Sequence, residues 1–88
     1  MMTRFSVLMS LYDGEDPDYL DLALRSVFGQ TPAPDQVVLV LDGPVGAALE
    51  AVVGRYKALY PALEVYPQPE NRGLSAALRI GLELFVNL

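Results

Sequence analysis

The sequence predicts an α/β fold, namely half of a doubly wound parallel sheet built as βαβαβα with its strands in the order 3-2-1. Two observations carry this. Three apolar, β-rich runs alternate with three stretches of helical periodicity, a pattern that yields βαβ units. The first two runs also show little polar interruption, as expected of strands covered on both faces. Right-handed crossovers between parallel strands then favour that spatial order.

The first run is Phe5-Ser6-Val7-Leu8-Met9-Ser10-Leu11. Asp16 followed by Pro17 makes a helix start, with an N-cap acceptor and a proline in the first turn. Leu20, Ala23, Leu24 and Val27 fall at i, i+3, i+4 and i+7, and Gly29 is placed to stop the helix. Asp18, Asp21 and Arg25 take its outer face and read as solvated surface. "QTPAPD" (30–35) is a turn leading into the second strand, Gln36 to Leu41. A second helix follows from about Gly46 to Tyr60, with Leu49, Val52, Val53, Tyr56 and Tyr60 on one face and Pro61 blocking continuation. Leu63 to Tyr66 is a short third strand, and "PQPENRG" (67–73) is a loop. A last helix runs from about Leu74, with Ala77, Leu78, Gly81, Leu82 and Phe85 inward.

With 88 residues the chain is one domain at most. Its apolar set makes up 52% before glycine is counted, high for so small a core. This suits a piece of a larger domain, and the close in "GLELFVNL", without a following strand, reads as a truncated N-terminal portion. Exposed apolar surface and an unpaired first strand would then favour homo-oligomers. There is no Cys and no His, which removes thiolate chemistry and the commonest general base. A net charge of −5 argues against nucleic acid as a partner, and a phosphorylated ligand would need local donors or a bridging cation. No apolar run approaches the ~20 residues of a membrane span, and the start lacks a signal-peptide plan. The expected location is the cytoplasm, including the cytoplasmic face of a membrane.

In open α/β sheets ligands bind beyond the carboxyl ends of the strands. Three polar, glycine-containing segments meet there: "SLYDGED", "DGP" and "PENRGLS". Asp42 in the second has two readings. It is a carboxylate that accepts hydrogen bonds from a ligand, or the first residue of an Asp-Gly-Pro turn or a cap, which needs no ligand. Ser10, Tyr12 and Asp13 offer a hydroxyl, a ring and a carboxylate at the first strand end, or simply a solvated turn. The dinucleotide fingerprint G-x-G-x-x-G and the P-loop are both absent. Around Asn71, Gly73 and Ser75, small residues at a helix start allow close approach of a ligand or of backbone. Arg72 could clamp a phosphate or stand in solvent, and Glu70 could pair with it.

Together these residues resemble family 2 glycosyltransferases of the GT-A fold. Ser6 to Asp13 match an S-V-[IVL]-[MIL]-x-x-Y-[ND] opening, and Ser26 to Thr31 match the S-[IVL]-x-x-Q-T that closes the first helix. Asp42-Gly43 and Asn71 to Gly81 match the motifs that end the second strand and open the third helix. Departures are Pro44 for the usual Ser, Leu41 for a frequent first Asp, and Arg79 for a frequent Asn.

The resemblance implies a truncated GT-A, Rossmann-like fold and an inverting enzyme. It would transfer sugar from a nucleotide-diphospho-sugar, a UDP-sugar first among them, to an acceptor hydroxyl. It favours the ligand reading of Asp42 and makes Ser10, Tyr12, Asp13, Asp42, Asn71, Gly73 and Ser75 the nucleotide-binding set. The divalent cation (Mg or Mn) and its Asp-x-Asp motif, the catalytic base and the acceptor site would lie beyond residue 88. No catalytic or metal-ligating residue is therefore expected in this chain, and no transfer activity from it alone. The competing reading is a non-catalytic α/β interaction or regulatory domain that self-associates.

Overall fold

In the computed structural model, which describes residues 5–73 together with 76 and 79, the chain runs β1 (Ser6–Leu11), α1 (Pro17–Phe28), β2 (Gln36–Leu41), α2 (Ala47–Leu59), β3 (Leu63–Pro67). Val37, Val38, Leu39 and Val40 are wholly buried, which puts β2 at the centre of the sheet. β1 and β3 flank it, both parallel to it, in the order β1-β2-β3. The predicted arrangement is the observed one. Ala76 and Arg79 are helical, and the rest of the third helix expected from Leu74 lies outside the described residues.

Strand periodicity divides the apolar residues between two faces. Val7, Met9 and Leu11, with Val37, Leu39, Leu63 and Val65, join the main core with α1 and α2. Leu8, Val38, Val40 and Tyr66 form a smaller cluster on the opposite face. Towards the amino ends of the strands that second face turns polar. Ser6 donates to Gln36, Gln36 to Glu64, and the Tyr66 hydroxyl to Glu64 at 2.7 Å.

Each helix begins and ends for a local reason. Asp16 caps α1 by accepting the Asp18 N–H at 2.8 Å, with Pro17 in the first turn as the sequence implied. Gly29 ends it, although in right-handed geometry rather than the left-handed form that favours glycine at this position. The buried side chains of α1 are Leu20, Leu24 and Phe28, with Val27 half-buried against the core. In α2 the inward face is Leu49, Val52, Val53 and Tyr56, as periodicity predicts. Tyr60, expected inward, is partly exposed at 36% and instead stacks its ring on Phe28 at 4.2 Å.

A second expectation is corrected. Asp21 is not idle surface. α1 and α2 lie side by side on one face of the sheet, so the flank of α1 that carries Asp21 meets α2. There its carboxylate accepts the Tyr56 hydroxyl at 2.6 Å and pairs with both Arg25 and Arg55. The Tyr56 hydrogen bond, reinforced by the two guanidinium groups, holds the Asp21 carboxyl below its ordinary range. Its partner Tyr56 is pushed up, chiefly because the neutral phenol donates to Asp21.

The signs follow by linkage. A depressed carboxyl stabilises the fold above its unfolded pKa, and that contribution is lost as pH falls through the lower folded value. A raised phenol stabilises below its unfolded pKa and loses its effect as pH rises through the higher folded one. Tyr56→Phe should therefore cost about 1 kcal/mol at neutral pH. The gap between its urea midpoint and that of the wild type should close in strong acid, below the ordinary carboxyl value of 3.8. It should close again in alkali, above the ordinary phenol value of 10.0.

Candidate functional site

The in-register pairing sets Leu11, Leu41 and Pro67 side by side at one edge of the sheet. Chain leaving each strand therefore emerges at the same rim. The ladder runs slightly past the strands, with Asp42 N–H on the Leu11 carbonyl at 2.7 Å and Gln68 N–H on the Leu41 carbonyl at 2.9 Å. Beyond it lies a cavity of about 390 Å³ lined by Ser10, Tyr12, Glu15, Asp42, Asn71 and Gly73. That volume falls within the roughly 300–1,000 Å³ of small-molecule clefts.

Asp42 is the most buried of this group, at 5% exposure. A carboxylate so placed needs partners, and it finds them in the loop after β3. Oδ1 accepts the Arg72 N–H at 2.8 Å and Oδ2 the Gly73 N–H at 2.9 Å. The local Asx-turn reading of Asp-Gly-Pro does not describe these bonds, whose donors lie 30 and 31 residues away. Gly43 explains itself at the same contact. Its φ is +88°, and a Cβ there would stand 2.7 Å from the Asn71 nitrogen.

The first loop is a turn closed by Glu15 N–H on the Tyr12 carbonyl at 3.1 Å. The Tyr12 ring, 47% exposed, lies over Gly14, where a side chain would collide with it. Asp13 is not among the described lining residues and accepts the Gly46 N–H at 2.8 Å, tying this loop to the start of α2. Ser75 lies outside the described residues. Arg72 keeps its side chain exposed, 3.9 Å from an equally exposed Glu70.

Five of the sequence-derived candidates thus line one cavity: Ser10, Tyr12, Asp42, Asn71 and Gly73. Glu15 joins them unforeseen. The available signal was its place as fourth residue of the turn begun by Tyr12, which carries it back to the rim. Chemically the rim offers an aromatic face, a hydroxyl, an amide and two carboxylates, and none of the described lining residues is basic. It is suited to N–H and O–H donors rather than to phosphate. Among the described residues no three His, Cys, Asp or Glu are grouped to hold a metal ion.

The model of glycosyl transferase family 2 matches residues 6–85. The chain belongs to that family. The amylovoran biosynthesis glycosyltransferase AmsE of Erwinia amylovora is 48% identical over 79 residues, covering 90% of this chain and 29% of the relative. The UDP-Gal:alpha-D-GlcNAc-diphosphoundecaprenol beta-1,3-galactosyltransferase of Escherichia coli is 38% identical over 79 residues, covering 90% of this chain and 28% of the relative. An uncharacterized glycosyltransferase of Haemophilus influenzae stands between them at 46% over 79 residues, covering 90% of this chain and 29% of the relative. The family 2 chain spans less than a third of the length of these curated relatives, matching their N-terminal part. No solved structure matches it. Membership supports the transferase over the non-catalytic interaction domain.

Asp13 and Asp42 should separate in experiment. Asp13→Ala should lower stability by about 1 kcal/mol, as loss of an acceptor at a helix start does. In a nucleotide titration it should weaken binding much less than Asp42→Ala.

Proposed function

We propose that residues 1–88 are the nucleotide-binding part of an inverting glycosyltransferase that uses a nucleotide-diphospho-sugar, most simply a UDP-sugar. The observation that carries this reading is the convergence of Ser10, Tyr12, Asp42 and Asn71 on one cavity at the carboxyl edge of a parallel sheet. Tyr12 presents a ring against which a base can stack. Asp42 and Glu15 accept from a base N–H or from ribose hydroxyls, Ser10 and Asn71 add hydrogen bonds, and Gly73 leaves room beside them. Asp13 and Ser75 complete the set that the family pattern suggests, Asp13 by steadying the loop that carries Tyr12. The name of the Escherichia coli relative supports a UDP-sugar donor and an acceptor linked to a lipid diphosphate.

In the intact enzyme the acceptor oxygen forms its bond to the anomeric carbon from the face opposite the leaving group. The bond from that carbon to the nucleoside diphosphate breaks, and the acceptor proton passes to a base supplied beyond residue 88. A divalent cation, also held beyond residue 88, belongs to that enzyme. No helix among the described residues is long and apolar enough to cross a membrane. Work at the cytoplasmic face of a membrane fits a lipid-linked acceptor.

Calorimetric titration with UDP should show saturable binding that Asp42→Ala weakens at least about tenfold, the scale of a lost hydrogen bond to a charged group. No binding at millimolar UDP would overturn the proposal. In the full-length protein, transfer from UDP-galactose, UDP-glucose or UDP-GlcNAc should give a product of inverted anomeric configuration by NMR, and retention would refute that part. β1 has no partner on its outer edge among the described residues. Self-association there should appear as dimers or larger species in sedimentation, whereas a stable monomer would exclude it.

A further inference from the structure

Two features of the site act on the loop rather than on a ligand. Both oxygens of Asp42 accept main-chain N–H groups, from Arg72 at 2.8 Å and from Gly73 at 2.9 Å. Gly43, the next residue, lets the main chain come so close to the same loop that any Cβ would strike the Asn71 nitrogen. Arg72 and Glu70, whose side chains are exposed, give the loop only a 3.9 Å surface pair of their own. Beyond the Gln68 N–H on the Leu41 carbonyl at its start, the loop's described contacts with the sheet lie at Asp42 and Gly43.

We propose that Asp42 is a latch. It positions Asn71 and Gly73 on the cavity wall, and through it the order of that loop is coupled to occupation of the cavity. A carboxylate has about four acceptor sites, and the two loop amides leave some of them for a ligand in the cavity that Asp42 lines. The loop amides fix the carboxylate in place, so a ligand that donates to it has less freedom to remove. By reciprocity, a ligand that binds the latched form draws the loop onto the sheet. Asp42 is then a positioning residue for Asn71 and Gly73 as well as a contact. The coupling rests on the reading of the cavity as a nucleotide site; the hold on the loop does not.

Trypsin separates the two. In the 88-residue chain, cleavage after Arg72 reports release of the loop, and cleavage after Arg55 and Lys57 inside α2 reports unfolding. Asp42→Asn, which keeps the shape of the side chain, should speed cleavage after Arg72 roughly tenfold without speeding cleavage in α2. Gly43→Ala, which leaves the carboxylate intact, should do the same. UDP should slow cleavage after Arg72 in the wild type. Gly43→Ala should also weaken UDP binding roughly tenfold, although Gly43 is not on the lining, and the double variant should bind no more weakly than Asp42→Asn alone. Cleavage after Arg72 unchanged in Asp42→Asn, or rising only in step with cleavage in α2, overturns the latch whether or not UDP binds. Full UDP affinity in a Gly43→Ala protein with a released loop overturns the coupling. If UDP fails to bind the wild type, the nucleotide reading and the coupling fall together, and the variants alone decide the hold on the loop.

Discussion

Everything at the candidate site depends on the parallel pairing of β2 with both of its neighbours. A strand of six residues is about 17–20 Å long, so the direction of each strand decides which end of the molecule its outgoing loop reaches. Were β1 or β3 antiparallel to β2, Tyr12 or Asn71 would leave at the far edge and no cavity would join them to Asp42. The pairing is secured by the least ambiguous feature of the chain. Val37 to Val40 are apolar on both faces and wholly buried, and only a central strand of a covered sheet can use such a run. The register in turn follows from alternation. A slip of one residue would exchange Val7, Met9 and Leu11 with Ser6, Leu8 and Ser10, and would put the serines in the main core.

The abrupt end of that strand has a physical reason on the same terms. One residue beyond Leu41 the chain is still buried, so the next side chain must either be apolar or have guaranteed partners. Asp42 takes the second course, with two amides from a loop that approaches because Gly43 has no side chain. Pro44 cannot donate to any further ladder, and the chain turns away to begin α2. Carboxylate, glycine and proline thus act in sequence: one holds a loop, one admits it, and one bars any further ladder bond.

Much of this was legible in the sequence because it is local or periodic. The strands, the start of α1 at Asp16-Pro17 and the inward face of α2 except for Tyr60 were read from residue type and spacing, and the structure has them. What escaped depends on contacts between distant segments. Asp21 sits on a flank that helical periodicity assigns to water, and only the side-by-side placement of α1 and α2 brings Tyr56 and Arg55 against it. Phe28 and Tyr60 lie near the ends of different helices, and each is half of a stacked pair that neither helix predicts. At the site, the pattern identified Asp42 as important but not why it is buried. Its donors come from a loop that is adjacent only after β3 has paired with β2. Glu15 was not singled out because its place on the rim depends on the turn that Tyr12 begins.

The charge of the site bears on how a nucleotide would sit in it. The described lining carries two carboxylates and no basic group, within a chain of net charge −5. A diphosphate brought against Asp42 and Glu15 would meet like charge. A base edge or a ribose presents N–H and O–H groups, which those carboxylates accept without repulsion. On the proposed reading the acidity of the cavity is therefore an orienting device: it draws the nucleoside end inward and turns the phosphates away. The positive charge that the phosphates require must then come from outside this cavity. A protein that recognises the nucleoside in one segment and neutralises the leaving group in another can vary the two separately. The acceptor-rich rim is what that division demands of the first segment.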